Sequence, residues 1–296
     1  MPASLPHFKT ARAEADYQAS YDAALARWPQ PVETLEVSDR FGCTHIHAAG
    51  PMDARPLVLV HGYGFTSTMW APNVAALSQV RRVYAPDVLG DMGRSAPARM
   101  PGSGVEYGEW LAGVLDQLGI ERADVGGLSY GGWIAANLAS YRPERVAKLI
   151  LMDPAATFLP LVMQFMLRAI LAMALPGYGA TYSYVRWMTS RRSALGRSDL
   201  SLDPCARAFA IAFKGWTNGG AGTYPAVLTD DELRRIKAPT LLMMGEDEVI
   251  YNPTRAIARA RALIEGLRVE VIPNAGHSIS MEQPEIVNAH IVRFLS

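Results

Sequence analysis

Short apolar runs alternate with segments of helical periodicity along most of this chain. The runs PLVLV (56–60), VAKLILMD (146–153) and APTLLMMG (238–245) are continuous, as in strands that are buried on both faces. The segments 8–28 and 107–120 place large apolar residues three or four positions apart, so both predict amphipathic helices. Strands that alternate with helices predict an α/β fold, in which helices cover both faces of a mainly parallel sheet.

The same two patterns recur elsewhere and predict the remaining elements. Strands are predicted at 32–37, 43–49, 81–87, 123–128 and 267–273. Helices are predicted at 130–141, 252–264 and 283–295, the second of which opens with a capping asparagine and a proline.

The alternation stops between Asp153 and Ala238. This interval is rich in methionine, has helical periodicity and contains no clear buried strand. We therefore predict an α/β core formed by residues 1–153 and 238–296. Residues 154–237 are predicted to be a helical cap, or lid, inserted into that core.

Two segments bear on membranes and secretion. The most apolar stretch, 158–176, contains two prolines and an arginine. It is also short for a bilayer span, which needs about 20 predominantly apolar residues, so we expect a cap helix and no membrane partner. The first twenty residues lack the apolar centre of a secretory signal, so we expect a soluble cytoplasmic protein.

Composition narrows the choice of partner. The chain has 296 residues, of which 50% are hydrophobic and 19% charged, so a large core is possible. Lys plus Arg and Asp plus Glu both number 28, and a formal net charge of +0 gives no reason to expect nucleic acid. Cys43 and Cys205 match no metal-ligand spacing, and no metal or cofactor is expected. The expected partner is a small molecule, and the chain is expected to be a monomer or a homodimer.

A serine stands where the predicted strand 123–128 gives way to a helix. Gly127, Ser129 and Gly131 fit the pattern G-x-S-x-G. A nucleophilic serine on a sharp strand-to-helix turn needs small residues two positions away on each side, because larger side chains would collide. The helix that follows directs its N–H groups towards the serine. We therefore interpret Ser129 as a nucleophile rather than as part of an ordinary glycine-rich turn.

A neighbouring strand end supplies groups that could assist this serine. The segment HGYGF follows the run 56–60, so the backbone N–H of Tyr63 can face Ser129. Together with the N–H of Tyr130 it would form an oxyanion hole, in which preorganised donors stabilise developing negative charge. His61, in the same segment, is interpreted as structural.

The general base and its acidic partner are expected near the C-terminus. His277 lies in a loop between a predicted strand and a predicted helix, and it comes late in the chain, as the order nucleophile, acid, histidine requires. The strand that ends at Gly245 is followed by three acids, Glu246, Asp247 and Glu248. Any of them could orient an imidazole and stabilise its charged form.

With these motifs the sequence resembles the α/β-hydrolase fold family. The segments HGYGF, GLSYGG, PTLLMMGEDE and PNAGHSISMEQPEIV occur in the family's order and span nearly the whole chain after residue 32. Within the family, the N-terminal helix and the segments GDMGRS, GEDEVIYNP and PNAGH are similar to those of bacillus-type carboxylesterases, which include enzymes that hydrolyse naproxen esters.

The resemblance implies a role for each of these residues. Ser129 would be the nucleophile, His277 the general base and then the general acid, and the N–H groups of Tyr63 and Tyr130 the oxyanion donors. The implied activity is that of a serine carboxylesterase, which forms an acyl-enzyme and needs no cofactor.

The chain departs from the family pattern at two places. The family's acid usually stands three residues after the strand-end glycine, which here is Glu248 instead of the commoner aspartate, with Asp247 as the alternative. The segment 87–95 is one residue longer than the usual family loop. Asp153 stands where a minority of relatives have an acid, and we expect it to be structural.

The cap is expected to determine the substrate. Its residues are bulky and apolar, and we expect Phe158, Met166 and Trp187, together with Phe65 of the core, to contact a small to medium apolar ester. Two alternatives stay open. The same residues serve C–C bond hydrolases and lactonases on this fold, and a non-catalytic small-molecule receptor could retain it.

Overall fold

The predicted mainly parallel sheet forms the centre of the molecule. The structure, a computed structural model, describes residues 7–29, 31–175, 177–193, 195, 209–211, 213–217 and 223–296. In chain order the described strands are β1 (His7–Phe8), β2 (Glu33–Asp39), β3 (Gly42–Ala49), β4 (Pro56–Val60), β5 (Arg82–Pro86), β6 (Ala96–Pro97), β7 (Ala123–Leu128), β8 (Val146–Met152), β9 (Trp216–Thr217), β10 (Thr240–Gly245) and β11 (Arg268–Ile272). The main sheet has the spatial order β2-β3-β5-β4-β7-β8-β10-β11, and β6 pairs with β3.

Most neighbouring strands of this sheet are parallel, as the alternation of strands and helices predicts. Parallel pairs join β5 to β4 and continue through β7, β8 and β10 to β11. Strands β2 and β3 form an antiparallel edge on β5. Because the carboxyl ends of parallel strands meet at one edge, the loops after β4, β7, β10 and β11 lie close together there.

Helices cover both faces of the sheet. In chain order the described helices are α1 (Ala11–Leu25), α2 (Ala71–Leu77), α3 (Gly104–Gln117), α4 (Tyr130–Tyr141), α5 (Met163–Ala174), α6 (Tyr178–Met188), α7 (Asp230–Arg234), α8 (Pro253–Leu263), α9 (Ile279–Glu282) and α10 (Pro284–Leu295). Five of these helices, α1, α3, α4, α8 and α10, were predicted within three residues of their ends. The short helices α2 and α9 were not predicted, because four to seven residues are too few to show a periodic pattern. None of the described helices combines the length and the hydropathy needed to cross a membrane.

Strand β4 shows how the sheet separates two cores. Val58 and Val60 pack with α3 and α4, whereas Leu57 and Leu59 pack with α2 and α10 on the other face. All four side chains are fully buried. Successive side chains of a strand point to opposite faces, so a continuous apolar run is what a strand buried on both sides requires.

The interval predicted to be a cap contains helices α5, α6 and α7. Residues 176, 194, 196–208, 212 and 218–222 of that interval lie outside the described residues. Helix α1 joins the same region, because Tyr17 and Tyr21 share a small apolar cluster with Val185 of α6, and β1 pairs with β9. The division into core and cap remains a prediction, and the N-terminal segment contacts both parts.

Helix α4 approaches the strand ends more closely than side chains would allow. A Cβ atom on Gly131 would lie 2.0 Å from the carbonyl oxygen of Val60. A Cβ atom on Gly127 would lie 2.3 Å from the carbonyl carbon of Gly131. Both distances are far below van der Waals contact, so only glycine lets the helix begin directly above β4 and β7.

We therefore expect Gly131→Ala to lower the free energy of unfolding by about 3 kcal/mol, because the clash is with backbone that cannot move aside. Gly179→Ala in α6 is the matched control. A Cβ atom there meets no described residue within 4 Å, and alanine favours a helix over glycine by about 0.5–1 kcal/mol. Urea titrations that gave both variants the same stability would contradict the close approach.

Candidate active site

Ser129 lies at the sharp turn between β7 and α4, with φ 53° and ψ −114°. A non-glycine residue in such a conformation is strained by roughly 1–3 kcal/mol and persists only where its surroundings hold it. Here its N–H donates to the carbonyl oxygen of Met152 at 2.9 Å, and its carbonyl oxygen accepts from the N–H of Ala155 at 3.0 Å. The turn is thus fixed to the end of β8, with the serine side chain partly exposed.

The structure brings Ser129, His277 and Glu248 into one hydrogen-bonded chain. Ser129 Oγ lies 2.8 Å from His277 Nε2, and His277 Nδ1 lies 2.7 Å from Glu248 Oε2. The three residues follow β7, β11 and β10, whose carboxyl ends meet at one edge of the sheet. If Nδ1 carries the proton and donates it to the carboxylate, Nε2 has the lone pair that can accept the serine proton.

Glu248 is well suited to hold the imidazole. Its side chain is fully buried, and its Oε1 accepts the N–H groups of Val249 at 2.6 Å and Ile250 at 2.8 Å. Burial alone would raise the pKa of Glu248. The charge and hydrogen bond of His277, together with the N–H of Ile250, outweigh burial and lower that pKa below its usual value. The carboxylate is therefore ionised and can stabilise a positive imidazolium.

Asp247, the alternative acid, has different partners. Its carboxylate accepts hydrogen bonds from Ser190 Oγ at 2.5 Å and from Arg192 Nη2 at 2.6 Å. The hydrogen bond from Arg192 holds the pKa of Asp247 below its usual range. Its side chain is 36% exposed, so the ion pair is screened by solvent. The geometry pairs His277 with Glu248 and pairs Asp247 with the chain that follows α6.

A second buried carboxylate, which the sequence analysis missed, holds the loop around His277. Glu282, at the end of α9, accepts the N–H of Gly276 at 3.1 Å and that of Ser278 at 3.2 Å, on either side of the histidine. It also accepts the N–H of Ser190 at 2.8 Å. Burial raises the pKa of Glu282. No local pattern separates this residue from an exposed glutamate of a short helix.

The two expected oxyanion donors lie at facing turns. Tyr130 is the first residue of α4, and N–H groups in the first turn of a helix have no partner within it. A Cβ atom on Gly62 would lie 3.6 Å from Ser129 Cβ, so the following residue, Tyr63, belongs to the turn beside the serine. The rings of Tyr63 and Tyr130 pack edge to face with centroids 6.1 Å apart. Their donor roles remain predictions.

Asp91 holds the turn that contains Tyr63. Its two carboxylate oxygens accept the N–H of Gly64 at 2.9 and 3.1 Å, and one of them accepts the N–H of Met92 at 2.8 Å. Burial raises the pKa of Asp91 to about 6, so the group is ionised in mildly alkaline solution. Asp91 lies in the segment 87–95, which is one residue longer than the usual family loop, but the sequence analysis assigned it no role.

His61 is fully buried and connects two loops. Its Nε2 accepts the N–H of Val88 at 2.8 Å, and its Nδ1 lies 2.9 Å from the carbonyl oxygen of Gly62. A backbone N–H can only donate, so Nε2 is the acceptor and Nδ1 carries the proton. This is the structural role that the sequence suggests.

The four residues expected to contact substrate have different surroundings. Phe65 lies next to the serine turn, since a Cβ atom on Gly62 would be 3.6 Å from its ring. Phe158 is 1% exposed and belongs to the main core. Met166 of α5 and Trp187 of α6 are partly exposed. Contact between these four side chains and a substrate remains a prediction.

Among the described residues, one group has the spacing of metal ligands. Asp153, Glu248 and His277 offer ligand atoms that lie within 4.8 Å of one another. The hydrogen bond between His277 and Glu248 already occupies two of those atoms, so the group is better explained by proton transfer. Cys43 is a half-buried free thiol, and Cys205 lies outside the described residues.

The chain is similar to known proteins along most of its length. A model of the alpha/beta hydrolase family matches residues 57–290. The uncharacterized carboxylesterase nap of Bacillus subtilis is 39% identical to the chain, in an alignment that covers 95% of this chain and 92% of that protein. Carboxylesterase YbfK of the same organism is also 39% identical, and its alignment covers 94% of this chain and 93% of that protein. The crystal structure of naproxen esterase from Bacillus subtilis superimposes with a TM-score of 0.88 at 37% identity, over 97% of this chain and 100% of that one.

Replacing Asp91 tests whether it positions the donor turn. In Asp91→Asn an amide N–H₂ group, which can only donate, replaces one of the oxygens that accept the N–H groups of Gly64 and Met92. Two donors then face each other, so Gly64 should shift. We expect kcat for a nitrophenyl ester at about pH 8 to fall roughly tenfold with KM almost unchanged, since oxyanion donors act on the transition state. The exposed Asp53→Asn is the control. A raised KM with unchanged kcat would assign Asp91 to substrate binding instead.

Proposed function

Because the chain belongs to the alpha/beta hydrolase family, we propose that it is a serine carboxylesterase that hydrolyses small to medium apolar esters. The observation that carries this proposal is the hydrogen-bonded chain of Ser129, His277 and Glu248 at a strained strand-to-helix turn. The similarity to carboxylesterases along almost the whole chain supports the reaction type.

The mechanism follows from the positions of these atoms. His277 Nε2 takes the proton of Ser129 Oγ as that oxygen attacks the ester carbonyl carbon, and Glu248 stabilises the imidazolium that forms. The N–H groups of Tyr63 and Tyr130 bind the negative oxygen of the tetrahedral intermediate. His277 then gives its proton to the departing alkoxide, which leaves an acyl-enzyme. A water molecule, deprotonated by His277, releases the carboxylic acid and restores the serine.

The choice of apolar esters rests on the side chains around the serine. Phe65 lies beside the serine turn and also borders a neighbouring cavity of about 680 Å³, whose other walls include Tyr17, Tyr21 and Met281. Neither Ser129 nor His277 is among the described residues that line this cavity, so Phe65 is the link between the two. Pockets of this size and apolar character suit small organic molecules. Ala172 of α5 and Val185 of α6 belong to the same apolar cluster as Phe65, which supports a capping role for the interval 154–237. C–C bond hydrolysis and lactone hydrolysis are less favoured, because the relatives of highest identity reported above are carboxylesterases.

The first test asks whether Ser129 is the nucleophile. Ser129→Ala should reduce kcat for p-nitrophenyl butyrate by about 10⁴-fold or more, because the covalent step is lost. The exposed Ser38→Ala is the control and should keep full activity. A fluorophosphonate should add to Ser129 in the native protein. Absence of both turnover and adduct would favour a non-catalytic receptor, and turnover that survives the substitution would mean a different nucleophile.

The second test separates two adjacent acids. Glu248→Gln should lower kcat by about 10³–10⁴-fold, because a neutral amide cannot stabilise the imidazolium. Asp247→Asn removes a solvent-screened ion pair with Arg192 and alters the hydrogen bond from Ser190, and neither interaction involves His277, so kcat should stay within about threefold of the native value. If Asp247→Asn caused the larger loss of kcat, the assignment of the acid would be wrong.

A further inference from the structure

Asp153 is a buried carboxyl group next to the catalytic chain, and the mechanism above does not use it. It follows β8 with φ 40°, so its backbone is held in a conformation that asparagine and aspartate adopt more readily than most residues. Its side chain is inaccessible to solvent. One oxygen, Oδ1, accepts the N–H of Gly245 at 2.9 Å. Within the described residues, no group donates a hydrogen bond to the other oxygen, Oδ2.

The neighbour of this carboxyl group is Glu248. Carboxyl oxygens of Asp153 and Glu248 and a ring nitrogen of His277 lie within 4.8 Å of one another. Two carboxylates this close in a site buried from solvent would repel each other strongly, so such a pair retains one proton. A carboxyl group that lacks a donor on one oxygen is satisfied if that oxygen itself carries the proton.

The donors present decide which carboxyl group is protonated. Glu248 receives three, from His277 Nδ1 and from the N–H groups of Val249 and Ile250. From the part of the chain that the structure describes, Asp153 receives only the N–H of Gly245. Negative charge is therefore better stabilised on Glu248, and the proton belongs on Asp153.

The surrounding charges act in the same direction. Burial is the largest cause that raises the pKa of Asp153 well above its usual value, and the negative charge of Glu248 comes next. A hydrogen bond with Glu248 and the charge of Glu282 raise this pKa further, whereas the hydrogen bond from the N–H of Gly245 lowers it. The same hydrogen bond lowers the pKa of Glu248. Tyr251 stays neutral beside the pair, because burial, and next the charges of Glu248 and Asp153, raise the pKa of its hydroxyl group.

We propose that Asp153 is a neutral carboxylic acid that donates a hydrogen bond to Glu248 and thereby holds Glu248 in position for His277. The proposal rests on the proposed serine hydrolase function, since it assigns Asp153 a positioning role in that catalytic chain. It adds a fourth member to the chain Ser129–His277–Glu248, one that never becomes charged during turnover.

Two variants of Asp153 test the hydrogen bond. In Asp153→Asn, Oδ1 can still accept the N–H of Gly245 and the amide N–H₂ can still donate to Glu248, so this variant mimics the protonated acid. Asp153→Leu removes the donor. We expect kcat for p-nitrophenyl butyrate at neutral pH to fall at least tenfold in Asp153→Leu, with KM within about twofold, and to be restored to within about threefold of the native value in Asp153→Asn.

The comparison with Glu248→Gln makes the outcome decisive. If Asp153 carried the charge, Asp153→Asn would lose as much activity as Glu248→Gln, and the proposal would be overturned. This contrast does not depend on whether Asp153→Leu folds. The rate at which a fluorophosphonate labels Ser129 should rank the variants in the same order as kcat, and it needs no knowledge of the natural ester.

The pH dependence gives a readout that a purely structural role would not change. An acid whose pKa is raised on folding favours the folded state while it is protonated, and this contribution disappears as the pH rises through the raised pKa. The free energy of unfolding of the native protein should therefore decline between the ordinary pKa of an aspartic acid and the raised pKa of Asp153. The decline should be smaller in Asp153→Asn, in which the raised pKa values of Asp91 and Glu282 still contribute. Equal declines in both proteins would overturn the proposal.

Infrared spectroscopy separates failure of this proposal from failure of the proposed function. When the infrared spectrum of Asp153→Asn is subtracted from that of the native protein, the difference should show the carbonyl stretch of a protonated carboxyl group at neutral pH. Presence of that band supports the neutral acid even if no ester is hydrolysed. Its absence overturns the neutral acid even if the protein proves to be an efficient esterase.

Discussion

The close contact between the first turn of α4 and the ends of β4 and β7 is the constraint on which the site depends. It leaves no room for a Cβ atom at Gly127 or Gly131, and it forces Ser129 into a positive φ. The strain of that conformation, roughly 1–3 kcal/mol, is offset by hydrogen bonds to the loop after β8. The serine oxygen consequently has one location, and the loops after β4, β10 and β11 are arranged around it.

Buried carboxylates hold those loops in place. Taking a carboxylate out of water is unfavourable unless hydrogen bonds replace the lost hydration. Glu248, Glu282 and Asp91 each accept at least two backbone N–H groups from loops at this edge of the sheet. These hydrogen bonds have two effects. They stabilise the buried negative charge, and they fix loop backbone that has no strand partner. Substitution of any of these acids would therefore move backbone, and not merely remove a side chain.

The sequence predicted the parts of the molecule that depend on local patterns. Continuous apolar runs located β4 and β8 to within one residue, and G-x-S-x-G located Ser129, because the steric requirement involves residues only two positions apart. His277 followed from its order in the chain. The choice between Asp247 and Glu248 could not be made in this way, since adjacent residues of a turn point in different directions and the deciding partner is 29 positions away from Glu248. Asp91 and Glu282 were missed because their main partners are backbone N–H groups, which no pattern of side chains in the sequence reveals.

Hydrogen bonds join the interval 154–237 to the histidine loop and to the helix that follows the serine. Midway along that interval, the carbonyl oxygen of Met188, the last residue of α6, accepts the N–H of His277 at 2.9 Å. Near its C-terminal end, the hydroxyl group of Tyr130 and the indole N–H of Trp133 donate to the carbonyl oxygens of Thr223 and Ala226, each at 2.9 Å. A hydrogen bond of this kind contributes about 1 kcal/mol, so displacing either contact would disturb the backbone around Ser129 and His277. Variation that adapts the protein to a substrate is therefore least costly in α5, which precedes both contacts and whose described side chains form no hydrogen bond to His277 or Ser129.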